Sequence, residues 1–91
     1  MNLNQIKKPV CIVGLGKSGN SAYQFLIAAG FSSNDVITFD QKDSSAQMSQ
    51  WNQLDSLPVG TLVISPGVPL QSPEIQTLIA KGWKITSEMV S

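Results

Sequence analysis

Hydrophobic residues in this chain come in short runs separated by glycine, proline and polar clusters. Val10-Cys11-Ile12-Val13, Val36-Ile37-Thr38-Phe39, Thr61-Leu62-Val63-Ile64 and Trp83-Lys84-Ile85-Thr86 are four such runs, mostly apolar with many β-branched residues, as buried strands are. Helical spacing appears between them. Ala22, Phe25, Leu26 and Ala29 form a stripe over Ser18 to Ala29, with Ser18 or Lys17 near the N-cap and Gly30 placed to end the helix. A thinner stripe of Ala46, Trp51 and Leu54 predicts a second helix from about Ser44 to Leu54. Ser72-Pro73-Glu74 is a helix start with Ser as cap, Pro at the first position and an acid in the first turn. Ile75, Leu78 and Ile79 supply that helix's stripe, and Gly82 ends it. Residues 1–8 read as a polar lead-in, and no stop signal follows Ser87 to Ser91, so the natural chain is expected to continue.

The resulting β-α-β-α-β-α-β order has connections long enough for right-handed crossovers. It predicts one domain over residues 1–91: an α/β, three-layer, Rossmann-like, doubly wound parallel sheet of about four to five strands. In such a sheet, ligands bind beyond the carboxyl ends of the strands, at the switch point. Three polar or glycine-rich stretches occupy that edge: Gly14 to Gly19, Asp40 to Lys42, and Ser65 to Val68.

Gly14-Leu15-Gly16-Lys17-Ser18-Gly19 runs from the first strand into the first helix. Without a Cβ at Gly14 and Gly16, backbone N–H groups can approach a diphosphate, with the helix's partial positive end behind them. Gly19 lets the helix lie close to the sheet. Lys17 either adds charge to a diphosphate or is a solvated loop lysine, and Ser18 offers a hydroxyl that capping alone would also explain. Asp40 ends the second strand where a dinucleotide fold sets an acid on the ribose hydroxyls. A carboxylate there reads a diol, or the paired N–H donors of a base edge, or is a turn aspartate. Ser65-Pro66-Gly67 makes a rigid loop with exposed amides, more than a plain connection requires.

Composition narrows the function by exclusion. Six Lys and Arg balance six Asp and Glu, charged residues make up 13% of the chain, and no basic face exists to track nucleic acid. So low a charge suits a piece that sits within something larger. With no His and one Cys, a protein-only zinc site is implausible, and Cys11 reads as a buried strand residue. No apolar run spans a membrane and the N-terminus lacks a signal-peptide core, which makes a cytoplasmic protein the default. Asp35, Asp43, Asp55, Glu74 and Glu88 form no cluster, and no Gly-x-x-x-x-Gly-Lys-Ser/Thr loop is present. The expectation is a holder of substrate, without catalytic residues of its own.

Val-Gly-Leu-Gly-Lys-Ser-Gly at 13–19, Phe-Asp at 39–40, Leu-Val-Ile-Ser-Pro-Gly-Val-Pro at 62–69 and Ser-Pro-Glu at 72–74 carry a family resemblance. Together they resemble the N-terminal domain of the Mur ligases that add D-glutamate to UDP-N-acetylmuramoyl-L-alanine, over nearly the whole chain. The resemblance implies an ATP-dependent amide ligase of three domains, whose first domain binds the UDP end of the substrate. Gly16, Lys17 and Ser18 would meet the diphosphate, Asp40, Gln41 and Lys42 the uracil, and Ser65, Pro66 and Gly67 would close the site. It further implies that ATP and Mg2+ act in later domains of a monomer, so that this domain is inactive alone. Two departures stand out. The stretch from Asp43 to Thr61 is shorter than usual, implying loss of an extra strand often seen there, and Gln41 stands where a small hydroxyl residue is common. Outside this family, the same glycines and Asp40 would fit an NAD-binding domain of an oxidoreductase, or a regulatory nucleotide-sensing module.

Overall fold

Val10–Val13, called β1, is buried at every position, which requires cover on both faces and partners on both edges. In the computed structural model, which describes residues 6–86, it has both. β2 (Val36–Phe39) and β3 (Thr61–Ile64) pair with it in parallel on either side, and β4 (Lys84–Thr86) pairs with β3. The sheet order is β2-β1-β3-β4. The lead-in and the continuation expected at the two ends fall largely on residues 1–5 and 87–91, outside the described residues.

Alternation along β1 divides the core. Val10 and Ile12 face α1 (Gly16–Ala28), packing with Ala22, Leu26, Val36 and Val63. Cys11 and Val13 face the other way, with Phe39, Leu62, Ile64, Leu54, Trp83 and the Ile75 and Leu78 of α2 (Pro73–Ala80). This is the three-layer, doubly wound α/β arrangement expected. Burial pushes the Cys11 thiol up to about 12, so it stays a protonated core group.

Several local readings need correction. The helix expected over Ser44–Leu54 does not form. Its stripe offers one fully buried residue, Leu54, and its many short polar side chains bond to nearby backbone instead of leaving it free to wind. Asp43 Oδ1 accepts from the Ser45 N–H at 2.9 Å and hydroxyl at 2.6 Å, and Gln53 Oε1 accepts from the Ser49 and Gln50 N–H groups, both at 2.9 Å. What results is a turn, an extended stretch along β2, and a 3-10 turn over Trp51–Ser56. In that stretch Gln47 and Met48 occupy the outer edge of β2. The Thr38 N–H donates to Gln47 Oε1 at 3.0 Å, the Met48 N–H to the Thr38 carbonyl at 3.0 Å, and the Asp40 N–H to the Met48 carbonyl at 3.0 Å. The extra strand is thus reduced to one parallel bridge, Phe39 with Met48, at the position where a Rossmann sheet carries its third strand.

The helices differ in detail from their predicted stripes. Phe25 (49% exposed) and Ile79 (38%) point to solvent, as does Ala29, leaving Ala22, Leu26, Ile75 and Leu78 as the buried contacts. Helix α1 starts at Gly16 with Leu15 at the N-cap, ahead of the Lys17 or Ser18 expected there. Ser72 is the N-cap of α2, with Pro73 and Glu74 following as read, but its hydroxyl is buried and has no hydrogen-bond partner. Among the described residues no helix is long and apolar enough to cross a membrane.

A close backbone contact joins α1 to the turn that follows β1. A Cβ at Gly19 would collide with the Gly14 carbonyl oxygen and lie 3.1 Å from its carbon. Both are backbone atoms that cannot move without shifting the turn. Gly19→Ala should therefore destabilise the chain by about 2 kcal/mol, overpacking of about 3 exceeding the helix-propensity gain of about 1. Gly67→Ala, where a Cβ meets nothing within 4 Å, should stay within about 0.5 kcal/mol of the parent. Urea unfolding of the two variants checks both values.

Candidate functional site

The strands end in step. Val13 is in register with both Phe39 and Ile64, so Gly14, Asp40 and Ser65 leave the sheet side by side. The ladder runs one residue further on each side: the Gly14 N–H donates to the Phe39 carbonyl at 2.8 Å, and the Ser65 N–H to the Val13 carbonyl at 3.0 Å. β1 lies where the chain order reverses, so this is the switch point at which open α/β sheets bind ligands.

Two side chains then tie the three loops together. Ser65, 8% exposed, donates its hydroxyl to the Gly14 carbonyl at 2.6 Å. Gly14 has φ +89, and a Cβ there would lie 2.8 Å from Val68 Cγ2 and 3.0 Å from Ser65 Cβ. Only glycine permits both that turn and that approach. On the other side, Asp40 Oδ2 accepts from the Leu15 N–H at 2.9 Å, while Oδ1 accepts from the N–H groups of Lys42 at 2.8 Å and Asp43 at 3.0 Å. Those three bonds, Lys42's first, hold the carboxyl below its ordinary value of 3.8.

The Asp40–Leu15 bond holds the residue before the helix and leaves the first turn of α1 uncapped. α1 has no side-chain cap and no acid in its first turn. Its first amides lack intrahelical acceptors by helix geometry, and they carry the positive end of the dipole. Ser18's hydroxyl is not used for capping, and a Cβ at Gly16 would meet no protein atom within 4 Å. The space over the turn is therefore open.

All twelve candidate residues come together around two adjoining clefts. One, of about 310 Å3, is lined by Gly14, Leu15, Gly16, Lys17, Ser18 and Gly19 with Ser65, Pro66 and Gly67 opposite. The other, of about 320 Å3, is lined by Asp40, Gln41, Lys42, Gly67, Val68 and Pro69, with Phe39 and Trp51. Gly14, Asp40, Gly67 and Val68 border both. Ser65 lines the first cleft, with its hydroxyl proton donated to the Gly14 carbonyl. Gly67 does not use a positive φ. Sequence reasoning missed Trp51 at the site, because the predicted helix made it a core position. It could be seen only once Gln47 and Met48 were known to lie along β2.

Comparison with known proteins fits this geometry. The profile of the Mur ligase MurD-like N-terminal domain matches residues 8–87. The chain belongs to this MurD-like N-terminal domain family. Among relatives, it is 30% identical to a UDP-N-acetylmuramoylalanine--D-glutamate ligase of Pasteurella multocida, over 98% of this chain and 22% of that protein. It is 33% identical to the ligase of the same name from Desulfitobacterium hafniense, over 96% of this chain and 22% of that protein. The Bartonella henselae ligase matches at 29% over 91% of this chain and 19% of that protein. The MurD-like chain thus spans about a fifth of the length of the curated relatives it matches.

Two predictions follow from the ties around Gly14. Ser65→Ala removes the partner of a part-buried carbonyl and should cost about 1 kcal/mol, with amide shifts concentrated at Gly14 to Gly19 in a 15N correlation spectrum. Asp40 contributes stability that is complete above its ordinary value of 3.8 and is lost as pH falls through its lower folded value. The stability gap between the parent and Asp40→Asn should therefore be about 1–2 kcal/mol at neutral pH and close in acid, as read by urea unfolding across pH.

Proposed function

We propose that this MurD-like domain grips the uridine diphosphate end of UDP-N-acetylmuramoyl-L-alanine, as the first domain of an ATP-dependent ligase that adds D-glutamate. Gly16, Lys17 and Ser18 at the uncapped start of α1 take the diphosphate through backbone N–H groups, the Ser18 hydroxyl and the Lys17 charge. ATP and Mg2+ serve the parent enzyme through chain beyond this domain, which on its own binds without reacting.

The observation that carries this reading is the hydrogen-bond capacity left on Asp40. A carboxylate has about four lone-pair sites, two on each oxygen. Oδ1 already accepts two N–H bonds and Oδ2 one. One acceptor site remains, so the group cannot span a ribose diol with both oxygens, as an NAD site would require. It suits a single N–H donor. Beside it in the chain, the Gln41 N–H has no partner among the described residues. One free acceptor next to one free donor complements the imide edge of uracil, an N–H flanked by carbonyls. This also answers the departure at Gln41, because the backbone contributes the donor whatever the side chain.

Titration of the 15N-labelled chain with UDP should shift the amides of Gly16 to Gly19, Asp40 to Lys42 and Gly67, with UDP binding more tightly than NAD. Saturating UDP without shifts at these positions, or a preference for NAD, would overturn the reading.

A further inference from the structure

We propose that Trp51 is the aromatic wall of the base-binding cleft, stacking on the pyrimidine ring while the glycine turn holds the phosphates. The inference rests on the uridine diphosphate reading and adds to it the residue that grips the base.

The two tryptophans have different surroundings. Trp83 is 3% exposed and sits in the core beneath β1 and β3. Trp51 is half-buried and lines the cleft that contains Asp40, Gln41 and Lys42. Its ring packs on Phe39 with centroids 4.2 Å apart and planes at 37°. Phe39 is the last residue of β2, 1% exposed, and is followed directly by Asp40. The indole is thus braced from behind by the strand that delivers the acid, and it retains a surface toward the cleft. The backbone beneath it is also fixed, because Gln53 Oε1 holds the Ser49 and Gln50 N–H groups and Leu54 is fully buried.

A base needs such a surface here. Asp40 has one acceptor site left, and the Gln41 and Lys42 side chains are exposed. One or two hydrogen bonds to a half-open cleft compete with water and give little net affinity. Stacking on a braced indole supplies the rest, and its loss on truncation is expected to weaken base binding about ten- to a hundredfold. Val68 and Pro69 add apolar lining to the same cleft.

The test compares UDP with inorganic pyrophosphate on the 91-residue chain. Trp51→Ala should weaken UDP about ten- to a hundredfold and leave pyrophosphate unchanged, whereas Trp51→Phe should retain most of the UDP affinity. UDP should also change the intrinsic tryptophan emission, and that change should vanish in Trp51→Phe, where Trp83 remains. If the alanine variant is poorly folded, Trp51→Leu keeps an apolar group on Phe39 and decides by the same comparison. Unchanged UDP affinity in these variants, with the amide shifts at Gly16 to Gly19 intact, overturns the stacking role and leaves the uridine diphosphate reading standing. An equal loss for pyrophosphate also overturns it, since Trp51 would then act through the fold. Failure of UDP to shift any amide of the parent chain overturns the reading and the stack together.

Discussion

The site depends on a register. Three parallel strands stop at the same level, at Val13, Phe39 and Ile64, and hand the chain to Gly14, Asp40 and Ser65 in one row. A slip of one residue in either neighbour of β1 would exchange the side chains packed toward α1 with those packed toward α2, and the two faces pack against different partners. The positions of the loops are therefore set by hydrophobic packing far below them. The hydrogen bonds at the top then convert proximity into shape, Ser65 to the Gly14 carbonyl and Asp40 to the Leu15 amide. Each loop is shaped by a side chain from a neighbouring one.

That mutual bracing bears on how a chain of zero net charge could hold the anion proposed for it. With a formal net charge of zero, the protein has no overall field to draw a diphosphate in. On the proposed reading the attraction is local, from the helix start at Gly16 and from Lys17. An ordinary cap would have consumed part of it, because an acid or hydroxyl in the first turn would meet the amides a phosphate needs. Asp40 avoids the conflict by bonding Leu15, one residue before the helix, from another strand. The same carboxylate supports the turn, restrains its own loop and keeps one acceptor site open.

Much of this was legible in residue order. The first three strands fall where the apolar, β-branched runs fall, because strands buried on both faces need nearly uninterrupted apolar sequence, whereas the equally apolar Phe25 to Ala29 belongs to the helical stripe of α1. The glycine turn, Asp40 and the Ser65 loop were legible as neighbours because strand ends at a switch point converge whatever their sequence separation. The middle segment was not legible. Over Ser44 to Leu54, sparse apolar positions at helical spacing compete with side chains that bond their own backbone. The balance is settled by an edge of β2 that only the assembled sheet presents. The start of α1 was misplaced for a related reason. Its N-cap residue is held by Asp40, 25 residues away, and a local rule searches only nearby.

The misread segment is also the one that distinguishes this domain among sheets of its type. A full strand beside β2 would pair along its length and continue into a regular crossover. Here the edge is covered by Gln47 and Met48, with a side-chain amide standing in for backbone at Thr38. So short an edge cover suffices because β2 is only four residues long and its exposed N–H groups are few. The chain saved in this way returns to the top of the sheet early, and Trp51 lands against Phe39 beside Asp40. Shortening the crossover and walling the cleft are thus two consequences of one structural change. The polar stretch that failed to make a helix delivers the aromatic ring to the site.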